Sequence, residues 1–122
     1  MCKEGGVGFM ASVWDMSAIK WIDQLMPMYK IGSGDLTNYR LIKKIIETGK
    51  PLILSTGMSS EEEIQLTVNF LTSRKVEFVL LHCNSTYPAP FHDINLKWMN
   101  RLKEIHPLIG YSGHERGLVI ST

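Results

Sequence analysis

Residues 51–71, PLILSTGMSSEEEIQLTVNFL, predict one complete strand, turn and helix. Pro51–Leu54 is a short apolar run, and the small polar residues Ser55–Gly57 follow it as a turn. Ser60 and Glu63 have the spacing of a capping box, in which each side chain accepts a hydrogen bond from the other residue's backbone amide. The helix that begins there has one apolar stripe, made of Ile64, Val68 and Leu71.

The same alternation continues on both sides of this unit. Short apolar runs predict five strands, at Val7–Ala11, Met28–Ile31, Pro51–Leu54, Glu77–Leu81 and Leu108–Tyr111. Three further segments have helical period: one after Asp15 or Ser17, one over about Asn38–Thr48 and one after Asn95. No hairpin signal joins successive strands, so the sequence predicts an α/β protein with a parallel sheet and helices outside it.

The ends of the predicted strands distinguish an open doubly wound sheet from a closed (β/α)₈ barrel. Every strand of a barrel presents functional residues at its carboxyl end, whereas an open sheet concentrates them at one switch point. All five predicted strands are followed by polar residues, which favours the barrel. A complete barrel takes about 250 residues. We therefore expect the 122 residues to form a partial (β/α)₈ TIM barrel, about five consecutive βα units of a single domain. Residues 117–122 are expected to begin a further helix.

The amino-acid composition of the chain disfavours several classes of binding partner. The chain has 13 Lys and Arg, 12 Asp and Glu and 44% apolar residues, as in an ordinary globular domain. A net charge of +1, with the signs interleaved, disfavours nucleic acid, and the apolar runs are far shorter than the roughly 18 residues of a membrane span. No secretory apolar segment is visible. With two cysteines, Cys2 and Cys83, we expect a cytoplasmic location.

Two strand ends carry residues suited to an anion. Lys30 to Asp35, KIGSGD, combines a cation, a hydroxyl and two glycines that let backbone amides approach a ligand. The Ser55–Gly57 turn places hydroxyl donors just before a helix N-terminus, where anions are favoured. Together they predict a phosphate or carboxylate site. Each segment is equally compatible with a simple tight turn before a helix.

His114 is the best candidate for a metal ligand or a general acid/base, because imidazole binds borderline metals and titrates near neutral pH. A histidine that caps a helix start is the alternative. His82 and Cys83 are adjacent on a strand and point to opposite faces, so they do not predict a shared site. His92 and His106 are expected to be solvated, and the three tryptophans, Trp14, Trp21 and Trp98, are interpreted as packing residues.

Four motifs, one at each of four strand ends, resemble the signatures of the sialic acid (N-acetylneuraminate) synthase family. They are Tyr29–Asn38 (YKIGSGDLTN), Gly49–Met58 (GKPLILSTGM), Leu81–Pro88 (LHCNSTYP) and Gly110–Glu115 (GYSGHE). The order and spacing match throughout the chain, which makes the set far more specific than any motif alone.

The resemblance implies a (β/α)₈ barrel that condenses phosphoenolpyruvate with N-acetylmannosamine, its 6-phosphate or a related N-acylated amino sugar, with a divalent metal, Mn or Mg. It implies three groups of site residues. The expected contacts of phosphoenolpyruvate are Ser12, Lys30, Ser33, Ser55, Ser85 and Ser112. His114 is the expected metal ligand, and Asp35 stands where the family usually has Glu, as an acid/base or metal neighbour.

The chain departs from the family pattern at two further positions. Ser85 replaces an Asn that some members have, and Gly113 replaces an Asp that many bacterial members have. The resemblance also places a second metal histidine after Thr122, a lysine before Met1 and a C-terminal antifreeze-like domain outside this chain. That domain completes the active site of a homodimer in many members. The expected assignment is therefore barrel strands three to seven, without turnover in isolation. Another phosphoenolpyruvate-dependent aldolase barrel and a non-catalytic remnant are the alternatives.

Overall fold

The computed structural model describes Cys2 and residues 4–120, which form alternating helices and strands. The helices are α1 (Met16–Ile22), α2 (Tyr39–Ile46), α3 (Glu61–Thr72) and α4 (Trp98–Ile105). The strands are β1 (Tyr29–Ile31), β2 (Leu52–Ser55), β3 (Phe78–Cys83) and β4 (Ile109–Ser112). Short 3₁₀ turns occupy Asp23–Leu25, Ser33–Asp35 and Phe91–Asp93. Among the described helices, none has the length and apolar character needed to cross a membrane.

The four strands form one parallel sheet in the order β1-β2-β3-β4. The register aligns Lys30 with Ile53, Leu54 with Leu80, and Cys83 with Ser112. A doubly wound sheet reverses its strand order at a switch point, whereas a barrel adds strands in chain order. The observed order is that of a barrel segment, as the polar strand ends indicated.

The two faces of the sheet differ in burial, and this difference positions the helices. Successive side chains on a strand point to opposite faces. One face carries the fully buried side chains of the strands, which pack with the helices in a single core: Tyr29, Ile31, Leu52, Leu54, Phe78 and Leu80. The other face carries half-buried residues such as Lys30, Ile53 and Val79. The helices therefore cover one side of the sheet.

The prediction of a first strand at Val7–Ala11 is wrong. Only Ser12 pairs with β1, in a single parallel bridge to Lys30. The backbone amide of Ala11 donates to Met26 Sδ at 3.2 Å, and that of Val7 donates to the Cys2 carbonyl. Neither amide takes part in pairing between strands. The sheet of the described residues therefore has four strands, where five were predicted.

Side chains fix the starts of α1, α2 and α3, as the sequence indicated, whereas α4 begins after Lys97 without a side-chain hydrogen bond at its cap. Asp15 accepts from the Ser17 amide at α1, and Asn38 accepts from the Leu41 amide at α2. The predicted capping box at α3 is confirmed in both directions. The expected last helix is not seen, because residues 117–120 form bends and a turn, with Gly117 at φ +82°. Residues 121 and 122 lie outside the described part.

We expect Ser60→Ala to lower the free energy of unfolding by about 1 kcal/mol, because it leaves the Glu63 amide at the helix start without its side-chain acceptor. Ser73→Ala, at the other end of α3, removes an exposed hydroxyl bound to the Phe70 carbonyl and should cost only a few tenths of a kcal/mol. Urea denaturation measures both. Equal losses would contradict the capping role.

Candidate functional site

The carboxyl ends of the strands surround a cavity of about 300 Å³ that is lined by both polar and apolar side chains. The cavity is formed by the strands and by the loops that follow them, because parallel strands bring their carboxyl ends to one edge of the sheet. The lining residues are Ser12, Trp14, Lys30, Gly32, Ser33, Gly34, Ser55, Met58, Cys83, Ser85, Tyr87 and His114. No carboxylate lines the cavity among the described residues, whereas an ammonium group and an imidazole do.

Two hydroxyls in this cavity are buried without a hydrogen-bond partner. The Oγ atoms of Ser55 and Ser85 have no acceptor or donor within reach in the described part of the chain, and Ser55 is 1% exposed. The neighbouring Thr56 is satisfied, since its Oγ1 donates to the Leu81 carbonyl at 3.0 Å. A buried polar group without a partner costs about 1–3 kcal/mol. Two such groups in one cavity indicate donors held ready for a ligand.

Lys30 gives the cavity its positive charge. It is the middle residue of β1 and lies on the half-buried face of the sheet, opposite the core. The ion pairs of the described residues involve other cations, and Lys30 has no carboxylate partner among them. A cation and free hydroxyl donors without a competing carboxylate favour an anionic ligand.

His114 is held in one tautomer by the backbone. Its Nδ1 lies 2.6 Å from the Asn84 carbonyl oxygen, which can only accept, so Nδ1 carries the proton and donates. The neutral ring therefore keeps its lone pair on Nε2, which accepts from Tyr87 Oη at 2.7 Å. The Tyr87 ring also stacks on the imidazole, with 3.9 Å between centroids. A histidine whose Nδ1–H is bound to a carbonyl presents Nε2 as a base or a ligand.

Tyr111 and Glu115, which flank His114 in the chain, form a further hydrogen-bonded pair. Tyr111 Oη donates to Glu115 Oε2 at 2.7 Å. Burial, and then this hydrogen bond, raises the pKa of Tyr111 to about 12, while the bond lowers the pKa of the Glu115 carboxyl. Gly113 lies beneath the carboxylate, and a Cβ there would come within 2.6 Å of Glu115 Oε2. A side chain at position 113 would therefore displace the Glu115 carboxylate from this arrangement.

The cavity contains most of the site residues expected from the sequence. Ser12, Lys30, Ser33, Ser55, Ser85 and His114 all line it. Asp35 and Ser112 do not. The Asp35 carboxylate accepts from the Asn38 side chain at 3.0 Å, beside the start of α2, and Ser112 ends β4 opposite Cys83.

Four lining residues were not expected at the site: Trp14, Met58, Cys83 and Tyr87. The interpretation of Trp14 and Trp21 as packing residues is wrong, because these side chains are 78% and 61% exposed. Tyr87 and Met58 each follow an expected site residue by two or three positions, which is the signal that could have identified them. The expectation that His106 is solvated is also wrong, because its ring stacks on Phe78 and its Nε2 is hydrogen-bonded to the Phe78 carbonyl oxygen.

The described residues do not bring together a complete set of metal ligands. No cluster of three or more His, Cys, Asp or Glu side chains is placed to hold a metal ion within the described ranges. His114 fits a single ligand position, because its tautomer leaves Nε2 unprotonated. Cys83 Sγ lies 3.9 Å from both ring nitrogens and donates to the Asn84 carbonyl. A divalent metal would thus need further ligands from elsewhere.

A sequence model of one family, NeuB, matches residues 1–122. The chain belongs to the NeuB family. This NeuB chain is 39% identical over 124 residues to N,N'-diacetyllegionaminic acid synthase of Campylobacter jejuni, covering 98% of this chain and 37% of that protein. It is 40% identical over 124 residues to N-acetylneuraminate-9-phosphate synthase of Drosophila melanogaster, covering 98% of this chain and 33% of that one.

The fold agrees with a solved structure from the same group. The N-acetylneuraminic acid (sialic acid) synthetase of Leptospira borgpetersenii, crystallised with citrate, superposes with a TM-score of 0.91 at 32% identity, covering 97% of this chain and 42% of that one. The resemblance to sialic acid synthases and the partial (β/α)₈ barrel are therefore confirmed. The NeuB chain spans between 33% and 42% of the lengths of these relatives.

We expect Ser55→Ala to leave the free energy of unfolding unchanged or to raise it by up to about 1 kcal/mol, because it removes a buried hydroxyl that has no partner. Thr67→Val is the matched control. It removes a buried hydroxyl that donates to the Leu36 carbonyl at 3.1 Å and should lower the free energy by about 1 kcal/mol. A clear loss in Ser55→Ala would show that its hydroxyl has a partner in the protein.

Proposed function

We propose that this chain forms the phosphoenolpyruvate-binding part of the active site of a nonulosonic acid synthase. The observation that carries the proposal is the pair of unpartnered hydroxyls of Ser55 and Ser85, which share a carboxylate-free cavity with Lys30. Membership in the NeuB family, whose relatives are named sialic and legionaminic acid synthases, supports this assignment.

Phosphoenolpyruvate suits this cavity because both of its ends are anionic. Hydroxyl donors that are already buried and free do not have to be desolvated again when the phosphate arrives. Lys30 would neutralise part of the charge, and Ser33 in the adjoining loop would add a donor. Ser12 pairs with Lys30 across the edge of the sheet, and the resemblance to sialic acid synthases assigns it to the carboxylate end of the ligand. Most of the binding free energy thus comes from charge-assisted hydrogen bonds.

In the proposed reaction, C3 of phosphoenolpyruvate attacks the aldehyde carbon of an open-chain N-acylated amino sugar and forms the new C–C bond. Water attacks C2, and the C2–O bond to phosphate breaks, so one nonulosonic acid and one inorganic phosphate are released. The contribution of this chain is to hold the enol phosphate and to bind the departing phosphate through the same hydroxyls. The acceptor sugar would be N-acetylmannosamine, its 6-phosphate or a related sugar.

His114 lines the same cavity, against the loop after β3, and would lie near the reacting carbons. Its unprotonated Nε2 can accept a proton or serve as one ligand of Mn or Mg, after Tyr87 Oη releases it. When bound, such a metal polarises the sugar carbonyl. The metal, the homodimer, the cytoplasmic location, and the lack of turnover by the isolated 122 residues stay predictions. The role of Asp35 as an acid/base or metal neighbour also stays a prediction, although its carboxylate accepts a hydrogen bond from the Asn38 side chain.

We expect Lys30→Met to weaken phosphoenolpyruvate binding by about 10-fold to 100-fold, since a charge-assisted contact contributes about 1.5–3 kcal/mol. Lys43→Met is the matched control, because Lys43 is exposed on α2 and outside the cavity. Titration calorimetry on the protein as its gene encodes it measures both. Equal affinities in the wild type and Lys30→Met would contradict the site, and loss of affinity in Lys43→Met would indicate a nonspecific charge effect.

A further inference from the structure

Gly57 lies at the centre of the hydroxyl cluster, in the turn between β2 and α3. Its backbone does not adopt the left-handed conformation that favours glycine, unlike that of Gly6, Gly49 and Gly117. The conformation of the chain therefore does not require glycine at position 57. The reason for a residue without a side chain must lie in the space around it.

That space is filled by the donors of the cavity. A Cβ at position 57 would lie 2.8 Å from Ser33 Oγ and 3.0 Å from the Cys83 carbonyl oxygen, and Ser85 Oγ would be closer than either. The three atoms come from the loop after β1, the end of β3 and the loop after β3. Two hydroxyls from different strand ends thus reach the same point above Gly57.

We propose that Gly57 is a positioning residue of the anion site, because its missing side chain lets the hydroxyls of Ser33 and Ser85 close against the turn. With Ser55 two residues earlier, the turn and these hydroxyls then surround a single oxyanion group. This inference rests on the proposed function, since it takes the oxyanion to be the phosphate of phosphoenolpyruvate.

We expect a methyl group at position 57 to weaken ligand binding more than it lowers the stability of the fold. Ser85 Oγ has no partner in the described residues, so it can rotate away from an added Cβ without breaking a bond within the protein. The Cys83 carbonyl is less free, because it ends a paired strand, but a shift of a few tenths of an ångström suffices there. The hydroxyl that rotates away no longer points at the oxyanion.

The test is Gly57→Ala in the protein as its gene encodes it, with phosphoenolpyruvate and inorganic phosphate as separate probes in titration calorimetry. We expect at least about a tenfold loss of affinity for both, with thermal unfolding shifted by only a few degrees. Gly8→Ala is the control, because its Cβ would make an ordinary 3.7 Å contact with Pro27, outside the cavity. It should change neither quantity.

A double variant separates the steric route from a general disturbance. In a Ser85→Ala background the nearest atom is gone and only the Ser33 hydroxyl still has to move, so adding Gly57→Ala should cost less affinity than it does in the wild type. Full additivity of the two losses would overturn the proposal. If Gly57→Ala alone unfolds the protein, Ser33→Ala combined with Ser85→Ala must restore folding, and failure to do so would also overturn the proposal.

The outcomes distinguish this inference from the function on which it depends. If the wild type binds neither probe, the proposed function fails and this inference fails with it. If the wild type binds phosphoenolpyruvate and Gly57→Ala binds it equally well, the proposed function stands and only the role of Gly57 is refuted.

Discussion

The hydrogen bonds that Thr56 makes to the Leu81 carbonyl hold the site together. Both its backbone amide and its Oγ1 donate to that oxygen at 3.0 Å, which extends the β2–β3 pairing one residue beyond β2. The turn that begins at Ser55 is therefore fixed against the end of β3. Because of this contact, the hydroxyls of Ser55 and Ser85, which are far apart in sequence, are buried in the same cavity.

The protein combines a well-packed core with a site in which buried hydroxyl groups lack hydrogen-bond partners. On one face of the sheet, buried aliphatic side chains and capped helices provide the stability of the fold. At the carboxyl edge, two hydroxyls are buried without partners and Lys30 has no carboxylate nearby. Such groups lower stability in the free protein and are retained where they are needed to bind charge. The packed core and the capped helices thus offset the loss of stability that these groups cause.

Much of this arrangement could be predicted from the sequence, because it depends on local signals. The capping box at Ser60 and Glu63 needs only a spacing of three residues, and the alternation of apolar runs with helical segments indicates parallel strands. Parallel strands in chain order then bring polar strand ends together. This placement, together with the resemblance to sialic acid synthases, allowed Lys30, Ser55 and His114 to be assigned to one site before their geometry was known.

The remaining features depend on contacts that a linear pattern does not contain. Val7–Ala11 has the composition of a strand, but the Ala11 amide bonds to Met26 Sδ instead of a carbonyl. Asp35 lies in a promising motif, yet its carboxylate turns to Asn38 three residues later. Trp14 is an apolar residue next to a helix, and only the three-dimensional arrangement places it at the mouth of a cavity.

The most direct test of the central claim is a crystal structure of the protein, as its gene encodes it, with phosphoenolpyruvate bound. We expect phosphate oxygens within about 2.5–3.2 Å of Ser55 Oγ, Ser85 Oγ and Lys30 Nζ, so that both unpartnered hydroxyls gain a hydrogen bond. Phosphoenolpyruvate bound elsewhere, or bound in this cavity with the two hydroxyls still unpartnered, would contradict the claim.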